Sequence, residues 1–99
     1  MATINLDQLR SKYRAQILSV ANKYHADNIR IFGSVARGET SAKSDIDILV
    51  HFKPNASLLD EAGLDRELKA LLGQSVDVIG DDSLRKEFKK SILNEAVPL

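Results

Sequence analysis

The stretch Asp45-Ile46-Asp47-Ile48-Leu49-Val50-His51-Phe52 constrains this chain more than any other. Side chains alternate across a strand, so Ile46, Ile48, Val50 and Phe52 share one face while Asp45, Asp47, Leu49 and His51 share the other. The first face demands an apolar layer against it. The second carries two carboxylates with Cα atoms about 7 Å apart. Buried carboxylates are costly without a cation, basic partners or water, so this face needs one of the three.

The remaining elements are read from periodicity and caps. Asn5 with Gln8 three residues later forms a capping box, and Leu6, Leu9, Tyr13, Ile17, Val20 and Tyr24 make one helical stripe running to about His25. Asp27-Asn28 breaks it, and Ile29–Phe32 alternates as a short strand ending at Gly33. From Ser34 to Ser44 the residues are small and polar, which predicts a helical turn followed by a loop. Ser57 and Asp60 open a second long helix carried by Leu58, Leu59, Ala62, Leu64, Leu68, Leu71 and Leu72, weakened at Gly63 and stopped by Gly73. Val76–Ile79 predicts a third strand, and Leu84, Phe88 and Ile92 a last helix ending before Pro98. Together they predict an α/β (α+β) protein: a small mixed β-sheet with helices packed on it, one domain spanning residues 1–99.

Composition removes several classes. With 99 residues the chain supports one modest core. Fourteen Lys+Arg against 14 Asp+Glu leave a net charge of +0, which argues against direct nucleic-acid binding through phosphate neutralisation. Zero cysteines exclude a disulfide framework and thiolate zinc sites. No apolar run exceeds three residues, so no membrane span or signal peptide is expected and the chain reads as cytoplasmic.

Asp77 lies between Val76 and Val78 and faces away from both, repeating the pattern of Asp45 and Asp47. If its strand neighbours the acidic one, three carboxylates meet and can hold two Mg²⁺ ions about 3.5–4 Å apart, an arrangement suited to in-line displacement at phosphorus. Gly33-Ser34 supplies a phosphate cradle, since glycine admits close backbone approach and Ser34 offers a hydroxyl and an amide at a helical turn. Arg37 and Lys43 add charge for the phosphate tail. His51 shares a face with Asp47 but lies more than about 13 Å along the strand, too far for a shared metal. Arg85, Lys86, Lys89 and Lys90 read as the wet face of the last helix, or as a contact for an acidic partner.

Gly33-Ser34, ten residues, then Asp45-Ile46-Asp47 resemble the Gly-Ser/Asp-x-Asp signature of the DNA polymerase beta-like nucleotidyltransferase superfamily. Phe32 to Val50, with Leu71-Leu72-Gly73 leading into Val76-Asp77-Val78, resembles its minimal prokaryotic members, and the likeness covers nearly the whole chain. The resemblance implies the polymerase beta-like fold and nucleotidyl transfer from ATP or another NTP. Gly33 and Ser34 would hold the triphosphate, Asp45 and Asp47 would bind both metals, and Asp77 would be third ligand and proton acceptor. It further implies a helical HEPN-class ribonuclease toxin as partner, silenced by AMP addition, so that the chain acts as the antitoxin of a toxin–antitoxin system in a homo- or hetero-oligomer. The alternative is a non-catalytic antitoxin that neutralises its partner by complex formation. The acceptor stays open between a protein hydroxyl and a small molecule.

Overall fold

The computed structural model describes residues 4–39 and 45–99. Asn5 caps α1 (Leu6–Gln8): its side chain accepts from the Gln8 N–H at 2.8 Å, and the Gln8 side chain accepts from the Asn5 N–H at 2.9 Å. A π-helical turn, Leu9–Tyr13, continues into α2 (Arg14–Lys23). Tyr24 closes that helix, and His25 turns the chain with a φ of 60°.

β1 (Ala26–Phe32) begins three residues before the expected Ile29. The helix has already ended at Tyr24, so Asp27-Asn28 does not break it but lies within the strand and bulges it, with a register shift between Asp27 and Arg30 and Asn28 at a φ of 49°. Asn tolerates this left-handed conformation better than most side chains, which is why a residue pair that looks like a break is absorbed as a bulge. The short α3 (Gly33–Ala36) follows, then β2 (Ile46–Phe52), α4 (Leu58–Leu72), β3 (Val76–Gly80), a 3₁₀ turn over Asp81–Ser83, α5 (Lys86–Glu95) and β4 (Val97–Pro98).

The sheet order is β3-β2-β1-β4, with β1 antiparallel to β2 and β4 and β2 parallel to β3. This is the small mixed sheet with packed helices that the pattern predicts. One face, built on Ile31, Ile46, Ile48, Val50 and Val76, is buried against Leu9, Ile17 and Ala21 of the N-terminal helices and Leu64, Leu68 and Leu72 of α4. The other face carries Phe32, Asp47 and Asp77, and α5 lies on this side, touching α3. Among the described residues no helix is long and apolar enough to cross a membrane.

Three expectations are corrected. Leu58 and Leu59 are 82% and 84% exposed, not core. At about 100° per residue Leu59 projects about 180° from the middle of the buried Leu64-Leu68-Leu72 stripe, and Leu58, about 80° from it, is the first residue of the helix. Gly63 does not interrupt α4, and its missing side chain permits a contact, since a Cβ there would overlap the Tyr24 ring. The last helix does not end the fold either: Val97 and Pro98 pair with Ile31 and Arg30 as an edge strand, and the Leu99 N–H donates to the Ile29 carbonyl at 3.1 Å. A two-residue pairing of this kind has no period to read.

Candidate active site

Parallel pairing of β2 and β3 sets Asp47 opposite Asp77 in register, on strands about 4.8 Å apart. On the other side, antiparallel pairing sets Asp47 opposite Phe32, the residue before Gly33. The phosphate-cradle candidate and the acidic strand are therefore joined by the ladder itself. Gly33 has a φ of 74°, and a Cβ on it would collide with the Asp47 carboxylate. The backbone and the carboxylate thus share a space that only glycine leaves open.

Asp47 is half-buried, with Leu49 fully buried two residues along the same face. Its pKa is raised from 3.8 to about 6. Burial is the largest cause, followed by the charges of Asp77, Asp45 and Glu95, while Arg37 pulls the other way. Asp45, exposed and just ahead of β2, and Asp77, exposed on β3, both lie within electrostatic reach of it. Among the described residues no three His, Cys, Asp or Glu side chains are gathered tightly enough to enclose a metal ion. The carboxylates share a neighbourhood without closing into a cage.

The donor set fits hard divalent cations. Its oxygens come from adjacent strands, with Asp47 half-buried and set opposite Asp77, and a cation between them would offset both the burial and the like charges that raise the Asp47 pKa. Ser34 occupies the second position of α3, where the leading N–H groups of a helix have no intrahelical acceptor. Arg37 caps the C-terminal end of that turn. Its Nε donates to Glu39 Oε2 at 2.8 Å and its Nη1 to Glu95 Oε1 at 2.5 Å. Lys43 lies outside the described residues. His51 is taken up elsewhere, with Nδ1 3.3 Å from Asp81 Oδ1, whose other oxygen accepts from Arg30 at 2.8 Å.

Glu95 is the site neighbour that the sequence reading missed. It continues the Phe88-Ile92 stripe at helical spacing, so a carboxylate on an otherwise apolar stripe was the available signal.

Residues 14–99 match the family model described as nucleotidyltransferase domain. This chain belongs to the nucleotidyltransferase domain family. The family's chain-wide relatives agree in length as well as sequence. Protein adenylyltransferase MntA of Thermococcus cleftensis is 37% identical over 97 residues, covering 98% of this chain and 98% of the relative. A Methanocaldococcus jannaschii protein provisionally described as a protein adenylyltransferase is 42% identical over 94 residues, covering 95% and 97%. A solved structure provisionally described as a minimal nucleotidyltransferase superposes with a TM-score of 0.86 at 39% identity over 100% of both chains. A toxin–antitoxin structure with AMP-PNP shares the fold, with a TM-score of 0.74 at 20% identity over 87% of this chain and 71% of that one. The nucleotidyltransferase is therefore of the minimal kind, and its mixed sheet is the polymerase beta-like fold.

Proposed function

We propose that this nucleotidyltransferase transfers AMP from Mg·ATP to a hydroxyl of a partner protein, and that it acts as the antitoxin of a HEPN-class ribonuclease toxin. The observation that carries the reading is the Gly33–Asp47 juxtaposition: a side-chain-free backbone turn seated against a carboxylate whose neighbours are Asp77 and Asp45. The protein adenylyltransferase names of the relatives support AMP as the transferred group, and the toxin–antitoxin complex that shares the fold supports the kind of partner.

In this reading Gly33 and Ser34 hold the triphosphate, the first by close backbone approach and the second by its amide and hydroxyl. Arg37 offers its fork to phosphate oxygens, and Lys43 adds charge. Asp45, Asp47 and Asp77 would hold two Mg²⁺ ions, whose chemistry when bound would be to neutralise phosphate charge and lower the pKa of the attacking hydroxyl. Asp77 accepts the hydroxyl proton as the oxygen–phosphorus bond forms at the α-phosphate and pyrophosphate leaves. The partner is held by protein contacts, for which the basic face of α5 (Lys86, Lys89 and Lys90) with exposed Phe88 and Leu93 is the candidate surface. The reaction belongs in the cytoplasm, where ATP and Mg²⁺ are available.

The test is incubation of the purified chain and the protein encoded beside it with α-labelled ATP and Mg²⁺. Label on the partner, lost in EDTA and lost with Asp45→Asn/Asp47→Asn, is expected. A tight complex that never becomes labelled would replace this reading with neutralisation by binding alone.

A further inference from the structure

Arg37 and Glu95 are separated by 58 residues of sequence, yet the guanidinium donates to the Glu95 carboxylate at 2.5 Å. The Glu95 side chain is 28% exposed, against 65% for Glu39, the other carboxylate on Arg37. Glu95 is thus the less solvated and less screened of the two partners. It also terminates α5, a helix with no fully buried side chain, so this ion pair is one of the contacts that tie the helix end to α3. Both groups act on Asp47, Glu95 in the same sense as the aspartates and Arg37 in the opposite sense.

Two carboxylates on one guanidinium engage the donors that phosphate oxygens also take. A triphosphate seated at Gly33-Ser34 would bring its charge toward Asp45, Asp47, Asp77 and Glu95 together, with Arg37 as a cation among them. Phosphate and Glu95 then compete for the same fork, and repulsion between them opposes sharing. We propose that Glu95 is a positioning residue for the nucleotide: it holds the Arg37 fork in the free protein and yields it to phosphate, so that it sets nucleotide affinity through Arg37. This rests on the reading that the Gly33-Ser34 turn binds a nucleoside triphosphate.

Calorimetry with Mg·AMP-PNP on the whole chain tests the exchange. Glu95→Gln is expected to tighten binding by about two- to fivefold, the size an ion pair of this exposure carries. In an Arg37→Gln background the same substitution is expected to have no effect, since the competition is for Arg37. Equal tightening in both backgrounds would reduce Glu95 to long-range repulsion, and weaker binding by Glu95→Gln would make it a structural anchor; either overturns the proposal. A second readout needs no variant: the side-chain carboxyl ¹³C resonance of Glu95 should move as Mg·AMP-PNP is titrated, and an unmoved resonance overturns the exchange. A wild-type chain that binds no Mg·AMP-PNP removes the transferase reading itself, a distinct result that takes this proposal with it.

Discussion

The Asp47 carboxylate occupies the place that a Cβ on Gly33 would take. This relationship links the end of β1 to the acidic strand β2, and it makes the turn and the carboxylate parts of one constraint. Gly33 answers two demands at once: a φ of 74° and the absence of a side chain.

Gly33→Ala is accordingly expected to destabilise the protein by about 1–3 kcal/mol, combining left-handed backbone strain with displacement of the carboxylate. Urea denaturation measures the stability, and Mg·ATP binding is expected to be lost with it. Wild-type values for both would mean that the turn relaxes without disturbing Asp47.

The raised pKa of Asp47 gives a pH dependence of definite sign. Its folded-state value of about 6 exceeds the ordinary 3.8, so the folded protein favours the protonated form. The associated stability is present below about pH 4 and is lost as pH rises toward 6. In EDTA, Asp47→Asn should therefore melt higher than wild type at pH 7, with the difference shrinking as pH falls from 6 to 4. Mg·ATP binding by wild type should weaken over the same interval, because a cation needs the ionised carboxylate. A melting difference independent of pH would place the unfavourable charge elsewhere.

The three aspartates are expected to divide their work by strand. Asp45 and Asp47 come from one strand segment and would hold the nucleotide-bound metal, so Asp45→Asn should weaken Mg·ATP binding together with turnover. Asp77→Asn should lower turnover by about 10²–10⁴-fold with little change in affinity, the usual size of a proton-transfer contribution. Equal losses of affinity for the two variants would assign Asp77 to the nucleotide metal.

Gly63→Ala sets helix propensity against packing. Alanine in mid-helix is worth about 1 kcal/mol over glycine, but a Cβ there would overlap the Tyr24 ring. The ring bridges the end of α2 to α4, so the substitution is expected to cost a net 1–3 kcal/mol, roughly the overpacking range. Combining it with Tyr24→Leu should recover part of the loss in the same denaturation assay. A stabilised Gly63→Ala would show that the ring moves aside freely.

The local rules in the sequence reach far into this fold. The capping boxes of Asn5 with Gln8 and of Ser57 with Asp60 form as written, Gly73 ends α4 in the left-handed conformation, and β2 alternates as its pattern requires. Each depends on residues at most four apart, whose hydrogen bonds and side-chain directions follow directly from the backbone period. The same period put Asp45 and Asp47 on the face opposite Ile46 and Ile48, and Gly33-Ser34 at a strand's end, so the candidate site was legible as a set of residues.

Its assembly was not. That Asp77 stands beside Asp47 depends on β3 choosing the free edge of β2 in parallel, and that Glu95 reaches Arg37 depends on α5 packing against α3. The packing of the Tyr24 ring on Gly63, the exposure of Leu58 and Leu59 and the pairing of Val97-Pro98 with β1 are of the same kind. These contacts join residues tens of positions apart, and their free energy exists only when whole faces meet and exclude water together. A helix stripe or a strand face specifies that it must be covered. Which partner covers it, and which charges are thereby brought together, follows from the joint packing of every element.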